Sequence, residues 1–251
     1  MDWAEVRARV QAIAGMISDS EGRYLYMLAK RCGGNIVEIG SWEGMSTVYL
    51  ALGSKAGGGG RVFAIDPHGG TSGCHEAYGV EDTEPIFREN IKRAGVDDIA
   101  TPLVMKSEEA AEGWTKEPIS LLWIDGAHDY ENVKKDFLLW EPYLKENGVI
   151  AFHDALYTLG YNYPGIRKVM CKYIFQSNRF SKVHFCGSIV CATKVAKLSA
   201  KDRVVKLQKL PLFFAFPFIY SVFNFMNPIL AKIGLVAPAR VIKDKILALI
   251  Q

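Results

Sequence analysis

The sequence has few features of secreted, zinc-binding or dinucleotide-binding proteins. Its cysteine count is odd, at five, and no two cysteines form a Cys-x-x-Cys pair, so neither a disulfide framework nor a zinc ribbon is indicated. The cysteines are Cys32, Cys74, Cys171, Cys186 and Cys191. Residues 1–15 interleave charged and apolar side chains, without the uninterrupted apolar core of a secretory signal. We therefore expect a cytoplasmic protein with reduced thiols.

Charge is distributed unevenly along the chain. Residues 194–251 contain ten Lys and Arg against two Asp, whereas residues 1–193 contain twenty Lys and Arg against twenty-five Asp and Glu. The 251 residues, 49% of them hydrophobic and 23% charged, suffice for one substantial core. The pattern predicts one mildly acidic main domain with a basic tail, and we expect no nucleic-acid partner.

Short apolar runs alternate with helical stretches from residue 34 onwards. Strands are predicted at Ile36–Ile39, Val62–Ile65, Pro102–Met105, Leu121–Ile124 and Val149–Phe152. Helices are predicted from Met45, over Pro85–Ala94 and over Tyr130–Glu146. Such alternation indicates βαβ units and a buried parallel sheet, a doubly wound α/β fold. Two further runs, Lys182–Phe185 and Ser188–Ala192, predict an antiparallel pair at the sheet edge.

The chain divides into three parts on this pattern. Residues 1–33 predict two helices, the second capped by Ser20 and ending at Cys32 before Gly33. They are expected to pack beside the sheet or at a subunit contact, which leaves a homo-oligomer open. Residues 34–193 are the main domain, and residues 194–251 form a basic, hydrophobic tail.

A glycine-containing turn follows the first predicted strand. Gly40 and Gly44 let the backbone pass close to a ligand at a helix N-terminus. The spacing is Gly-x-x-x-Gly, in place of the Gly-x-Gly-x-x-Gly that dinucleotide enzymes prefer, and Glu38 precedes it. An acid there disfavours a diphosphate and suits an amino group. Asp66, which ends the second strand, occupies the position where an acid accepts hydrogen bonds from both ribose hydroxyls.

Acidic and imidazole side chains follow the fourth and fifth strands. Asp125 and Asp154 end these strands, and the carboxyl ends of parallel strands face one crevice, so two oxygen ligands suited to Mg²⁺ converge there. His128 lies three residues beyond Asp125, and His153 precedes Asp154. His128 is interpreted as functional in preference to a helix-capping or loop residue. His153 is interpreted either as a metal ligand or as a structural hydrogen-bonding residue.

These motifs resemble those of a known enzyme group. VEIGSWEGMST, IDGAHDY and GVIAFHD are similar to segments of class I S-adenosylmethionine-dependent O-methyltransferases. The first motif resembles catechol O-methyltransferase, and the others resemble the metal-dependent sugar O-methyltransferases and the cephalosporin-hydroxylase-like group. The resemblance covers roughly residues 20–193 and implies the Rossmann-like strand order 3-2-1-4-5-7-6.

The resemblance also implies a site. The cofactor contacts would be Glu38, Gly40, Ser41, Trp42, Gly44, Ser46, Asp66, Ser107, Glu108 and Asp125. Ser107 and Glu108 would bound the adenine, although a helix-capping Ser-Glu-Glu run explains them equally well. Asp125 and Asp154 would hold the metal, and His128 would be the general base, with Asp125 also catalytic. His153 departs from the family pattern, in which an acid often occupies this position.

The tail contains an uncharged stretch of twenty-two residues, from Leu210 to Ala231, flanked by Lys206, Lys209 and Lys232. Its length would permit a membrane span, but three prolines favour a segment that lies in the membrane interface. Contact of residues 199–251 with an anionic membrane surface is therefore predicted. The alternative is that the stretch packs on protein.

The sequence thus predicts a methyltransferase that uses S-adenosylmethionine, with Mg²⁺ assistance, to methylate a hydroxyl group. A sugar in a glycan, glycolipid or natural product is the favoured acceptor, and a small phenolic acceptor is the alternative. A second hypothesis is a cofactor-binding, non-catalytic, membrane-associated assembly protein. A third, an NAD-dependent oxidoreductase, shares the fold but lacks the expected glycine spacing.

Overall fold

The protein forms a seven-stranded sheet with helices on both faces. The computed structural model describes residues 1–69, 82–115, 118–156, 163–211 and 213–215. The strands are β1 Ile36–Ile39, β2 Val62–Ile65, β3 Ala100–Leu103, β4 Ile119–Ile124, β5 Leu144–Phe152, β6 Phe180–Cys186 and β7 Ile189–Lys194. The helices are α1 Trp3–Val10, α2 Asp19–Cys32, α3 Met45–Gly57, α4 Glu84–Arg93, α5 Ser107–Glu112, α6 Tyr130–Trp140 and α7 Pro164–Val169.

The strand order is β3-β2-β1-β4-β5-β7-β6, which confirms the expected topology. Strands β1 to β5 pair in parallel. Strand β7 inserts antiparallel beside β5, and β6 then pairs antiparallel with β7. The order reverses between β1 and β4, so the carboxyl ends of these two strands open one crevice.

Two apolar layers sandwich the sheet, because successive strand side chains point to opposite faces. Leu122 and Ile124 of β4 pack with α5, α6 and α7, whereas Trp123 packs on the opposite face with α1, α2 and α3. The N-terminal helices therefore lie beside the sheet, one of the two positions expected for them.

Helix α2 begins two residues earlier than predicted. Ser18, not Ser20, is the cap, since its side chain accepts a hydrogen bond from the Glu21 amide while Glu21 reaches back to Ser18. The helix ends as expected at Gly33, which is left-handed with φ 58°.

Helix α6 ends at Trp140, not at the predicted Glu146. Pro142 has no amide hydrogen, and its ring disfavours helical continuation, so a short 3₁₀ turn spans Glu141–Tyr143. Strand β5 consequently starts at Leu144, five residues before the predicted start.

The first part of the tail packs on the main domain. Residues 200–211 are helical, and Phe213 is fully buried against Phe175 and Phe185. Lys206 donates hydrogen bonds to the carbonyls of Ile174 (3.1 Å), Phe180 (3.0 Å) and Ser177. Burial lowers the pKa of Lys206 to about 8.

These contacts correct the role expected for two of the tail cations. Both lysines, Lys206 and Lys209, donate hydrogen bonds to backbone carbonyls. Lys209 donates to the carbonyl of Val183 at 2.6 Å, as Lys206 does to the three carbonyls named above. Neither therefore faces a lipid headgroup. Most of the uncharged stretch lies outside the described residues. Across the described ranges, no helix is long and apolar enough to cross a membrane.

Replacement of Phe213 by Ala tests this packing. Loss of a fully buried phenylalanine leaves a cavity, so Phe213→Ala should lower the free energy of unfolding by about 3 kcal/mol in urea titrations. The matched control is Phe214→Ala, because Phe214 is 58% exposed and its loss should change stability by less than about 0.5 kcal/mol. Equal effects of the two changes would contradict the packing of the tail.

Candidate active site at the carboxyl ends of β1, β2, β4 and β5

The turn after β1 brings the backbone close to β4. Gly40 has φ 85°, and a Cβ at this position would lie 2.4 Å from the carbonyl oxygen of Asp125. Gly44 has φ 92° and begins α3 as its N-terminal cap residue. Both positions therefore require glycine, as the sequence predicts, and the amides at the start of α3 open towards the crevice.

Asp66 supports this turn from the end of β2. Its Oδ2 accepts hydrogen bonds from the amides of Ser41 and Trp42, both at 2.9 Å, and its Oδ1 accepts one from the amide of His68 at 2.8 Å. The side chain is 19% exposed, so the carboxylate reaches the crevice. Asp66 thus lies against the glycine turn, and its contact with a ribose stays a prediction.

Glu38 lies beneath the turn and is completely buried. Thr47 donates a hydrogen bond to its Oε2, whereas Oε1 has no hydrogen-bond partner within the described ranges. Burial raises the pKa of Glu38 to about 8, with the hydroxyls of Ser46 and Thr47 opposing the shift. An unpartnered buried acceptor here fits a donor group supplied by a ligand.

Ser107 and Glu108 are tied to α6. The Ser107 hydroxyl accepts a hydrogen bond from Trp140 Nε1 at 2.9 Å, and Glu108 lies 3.0 Å from the Lys135 ammonium. Lys106, not Ser107, is the cap residue of α5, so the capping interpretation is wrong. Contact of these two residues with an adenine stays a prediction.

Asp125, His128 and Asp154 converge where β4 and β5 end. One ligand atom from each residue lies within 4.8 Å of the others. His128 Nε2 is 3.3 Å from Asp154 Oδ2, and Asp154 has a left-handed backbone with φ 51°. The meeting of the two carboxylates confirms what the strand ends predict.

His153 lies behind these carboxylates. Its ring is 5% exposed, and its Nδ1 is 3.1 Å from Asp125 Oδ1 and 3.6 Å from Asp154 Oδ2. The group with metal-ligand spacing therefore contains His128 in place of the predicted His153. This geometry favours the structural interpretation of His153 over the ligand interpretation.

The charges of the cluster shift the pKa of each member. Burial raises the pKa of Asp125, against the influence of His153. Burial alone would raise the pKa of Asp154, but hydrogen bonds from His128 and His153 hold it well below its usual range. Burial alone would lower the pKa of His153, but Asp125 and Asp154 raise it well above its usual value. The two imidazoles therefore favour the ionised form of Asp154, whereas burial of Asp125 works against its ionised form.

Glu21 of α2 completes the cluster, and sequence reasoning missed it. Its Oε1 is 3.8 Å from His153 Nε2, although the two residues are far apart in the chain. The available sequence signal is the capping box with Ser18, which indicates a helix start and nothing more.

An open cleft of about 510 Å³ adjoins His128. It is lined by His128, Asp129, Tyr130, Tyr163, Pro164, Gly165 and Lys168. The rings of His128 and Tyr163 stack with centroids 4.0 Å apart, and the Lys168 ammonium lies 4.1 Å from the Tyr130 ring centre. Two tyrosine rings thus line the cleft beside His128.

Glu38 generates a pH-dependent prediction. In the unfolded chain its pKa returns to about 4.5, so between about pH 4.5 and pH 8 the folded protein holds the extra proton. The stabilisation is complete below this window and is lost as the pH rises through about 8. The free energy of unfolding of Glu38→Gln, relative to the wild type, should therefore rise across the window by at most about 1.4 kcal/mol per pH unit. A flat difference in urea titrations would contradict the buried, protonated state.

Comparison with known proteins agrees with this geometry. Residues 37–155 match the family model described as "Methyltransferase domain". This segment contains the glycine turn, Asp66, Asp125, His128 and Asp154.

Several solved structures share the fold. An O-methyltransferase from Bacillus cereus in complex with SAH is 24% identical, with a TM-score of 0.54, over 76% of this chain and 89% of that one. The O-methyltransferase NovP is 16% identical, with a TM-score of 0.60, over 72% and 82% of the two chains. The O-methyltransferase TomG from Streptomyces achromogenes, in complex with SAM, is 15% identical, with a TM-score of 0.54, over 77% and 88%. The family match identifies residues 37–155 as a methyltransferase domain, and the likenesses, with the strand order, show that the chain has the fold of class I methyltransferases.

Proposed function

We propose that the protein transfers a methyl group from S-adenosylmethionine to a hydroxyl group, with assistance from a divalent metal ion. The observation that carries this proposal is the convergence of Asp125, His128 and Asp154 beside the glycine turn, whose Gly40 packs on the backbone of Asp125. A methyl donor in the turn would thus lie next to the charged groups. Similar proteins of known structure are themselves named O-methyltransferases.

The residues around the turn fit the cofactor. The unpartnered Oε1 of Glu38 supports a role for this residue towards the amino group, and the partly exposed Asp66 supports one towards the ribose hydroxyls. The amides at the start of α3 suit the carboxylate of the same molecule. A zwitterionic cofactor would therefore find a hydrogen-bonding partner for its amino group and another for its carboxylate.

Two carboxylates would hold the metal. Asp125 and Asp154 offer the oxygen ligands that Mg²⁺ prefers, while water and the acceptor would fill the remaining positions. When bound, the ion lowers the pKa of a coordinated hydroxyl group and makes it a better nucleophile. His128 lies close enough to be a third ligand, and an imidazole would broaden the choice of metal towards the transition ions.

We assign His128 to proton transfer, because its ring faces the cleft where an acceptor would enter. His128 would accept the proton of the acceptor hydroxyl while the methyl group passed from the sulfonium to the acceptor oxygen, which would leave the sulfur as a neutral thioether. Asp154, at 3.3 Å, would stabilise the imidazolium that results. His128→Asn distinguishes a proton-transfer role from a metal-binding role. Loss of a base lowers turnover and leaves metal affinity unchanged, whereas loss of a ligand lowers metal affinity.

The cleft supports an acceptor that contains a ring. Tyr130 and Tyr163 offer aromatic faces against which a sugar or a phenol could stack, and we propose the sugar on the strength of the motif resemblance. A panel of sugar and phenolic acceptors in a methyl-transfer assay separates the two classes. Cofactor binding without transfer to any acceptor would favour the non-catalytic alternative.

We also propose that residues 216–251 contact an anionic membrane surface. The uncharged stretch continues to Ala231, and Lys232, Arg240, Lys243 and Lys245 follow it.

Truncation after residue 215 keeps the packed part of the tail and removes the proposed membrane segment. The full chain should sediment with vesicles that contain phosphatidylserine, and the truncated chain should stay in the supernatant. Pure phosphatidylcholine vesicles are the control for the electrostatic component. Equal sedimentation of both chains would contradict the proposal.

Substitution of a metal-binding carboxylate tests the catalytic assignment. Asp154→Asn keeps the size of the side chain but removes its charge, so Mg²⁺-dependent methyl transfer should fall by at least about 100-fold. Affinity for S-adenosylmethionine, measured by calorimetry, should change less than about threefold, because Asp154 is not among the proposed cofactor contacts. Loss of cofactor binding, or activity that survives removal of metal by a chelator, would overturn the metal's role.

A further inference from the structure

The carboxylate of Glu21 accepts more hydrogen bonds than a helix-capping role requires. Its side chain is buried, and its Oε2 accepts hydrogen bonds from the amide and hydroxyl of Ser18, at 2.9 and 2.6 Å. Its Oε1 accepts two more, from the amide and hydroxyl of Ser188, at 2.7 and 2.8 Å. The second pair connects the start of α2 to the turn between β6 and β7, which helix capping does not require.

The turn between β6 and β7 passes very close to the Glu21 carboxylate. Gly187 has φ 60°, and a Cβ there would lie 2.5 Å from Glu21 Oε1. The site thus requires glycine on two grounds, a left-handed backbone and close approach of the carboxylate.

Two routes lead from Glu21 to the catalytic carboxylates. In the first, Glu21 Oε1 faces His153 Nε2 at 3.8 Å, and the opposite ring atom, Nδ1, faces Asp125 Oδ1 at 3.1 Å. In the second, the Ser188 hydroxyl donates to Glu21 and accepts from the Asp154 amide at 3.3 Å. Glu21 therefore contacts the supports of both Asp125 and Asp154 while touching neither of them.

We propose that Glu21 is a positioning residue, which orients Asp125 and Asp154 through His153 and Ser188. A carboxylate on one side of an imidazole attracts the N–H edge of the ring and so favours one ring orientation, which directs the opposite nitrogen at Asp125. The proposal rests on the proposed function only in that Asp125 and Asp154 are there assigned as metal ligands. The predicted orientation of His153 can be measured without metal or turnover.

The test compares three variants of the full chain. Glu21→Gln keeps the shape of the side chain and removes its charge, and His153→Gln removes the ring through which it acts. The matched control is Glu141→Gln, since Glu141 is an equally buried glutamate that pairs with Lys194 at 3.0 Å, away from the cluster. Each variant is examined for Mg²⁺ and S-adenosylmethionine affinity by calorimetry, for thermal unfolding, and for the imidazole N–H resonances in NMR spectra.

Glu21→Gln should weaken Mg²⁺ binding about 10- to 100-fold, the usual effect of losing a support behind a metal ligand. Affinity for S-adenosylmethionine should stay within about threefold of the wild type. The slowly exchanging Nδ1–H resonance of His153, identified by its loss in His153→Gln, should broaden or disappear. In the double variant the two losses in metal affinity should be less than additive, because Glu21 acts through the ring. Glu141→Gln should lower the melting temperature without these effects.

The outcomes separate this inference from the proposed function. Unchanged metal affinity and an unchanged His153 resonance in Glu21→Gln would overturn the positioning role and leave the metal-assisted reaction standing. If the wild type binds no Mg²⁺ but the resonance is lost in Glu21→Gln, the positioning role holds and the metal assignment fails. Equal effects of Glu21→Gln and Glu141→Gln on metal affinity would show general destabilisation and would also overturn the inference.

Discussion

Two carboxylates held side by side in a buried crevice are the constraint around which this site is built. Asp125 and Asp154 end neighbouring parallel strands, so the sheet itself forces them together. Like charges at this distance, withdrawn from water, disfavour one another's ionised form. The imidazoles of His128 and His153 offset that repulsion from opposite sides, one at the cleft and one in the interior. The same concentration of negative charge makes the crevice attractive to a divalent cation.

The sequence predicts those parts of the site that depend on strand ends and backbone geometry. The glycine turn, Asp66 and the two aspartates follow from where buried strands stop, because parallel strands deliver their carboxyl ends to one edge of the sheet. The strand order came from the motif resemblance, since periodicity alone does not order strands. The parts that depend on tertiary contacts were not predictable. Ser18 and Ser20 are chemically equivalent as caps of α2. The observed start, with Ser18 as the cap, accompanies the hydrogen bond between Glu21 and Ser188, which lies far along the chain.

The lysines of the tail also show that sequence does not predict tertiary contacts. Lys206 and Lys209 beside an apolar stretch resemble membrane-anchoring cations, because sequence gives their charge but not their neighbours. In the folded protein the ammonium group of Lys206 reaches the carbonyls of Ile174, Ser177 and Phe180, and that of Lys209 reaches the carbonyl of Val183. A lysine next to an apolar run in sequence can therefore lie either at a membrane surface or against the protein itself. Phe213, at the end of the same helix, shows that the packed environment extends at least that far.

The different environments of His128 and His153 follow from the position of each relative to its strand. His153 directly follows β5, and its buried ring lies with Nδ1 towards Asp125 and Asp154 and with Nε2 towards Glu21 of α2. His128 lies in the connection before α6, where no pleat constrains it, and there it stacks on Tyr163 at the cleft. The histidine beside Asp154 in sequence thus lies between both aspartates and Glu21. In the proposed positioning role, the first turn of α2 would influence how Asp125 and Asp154 are oriented.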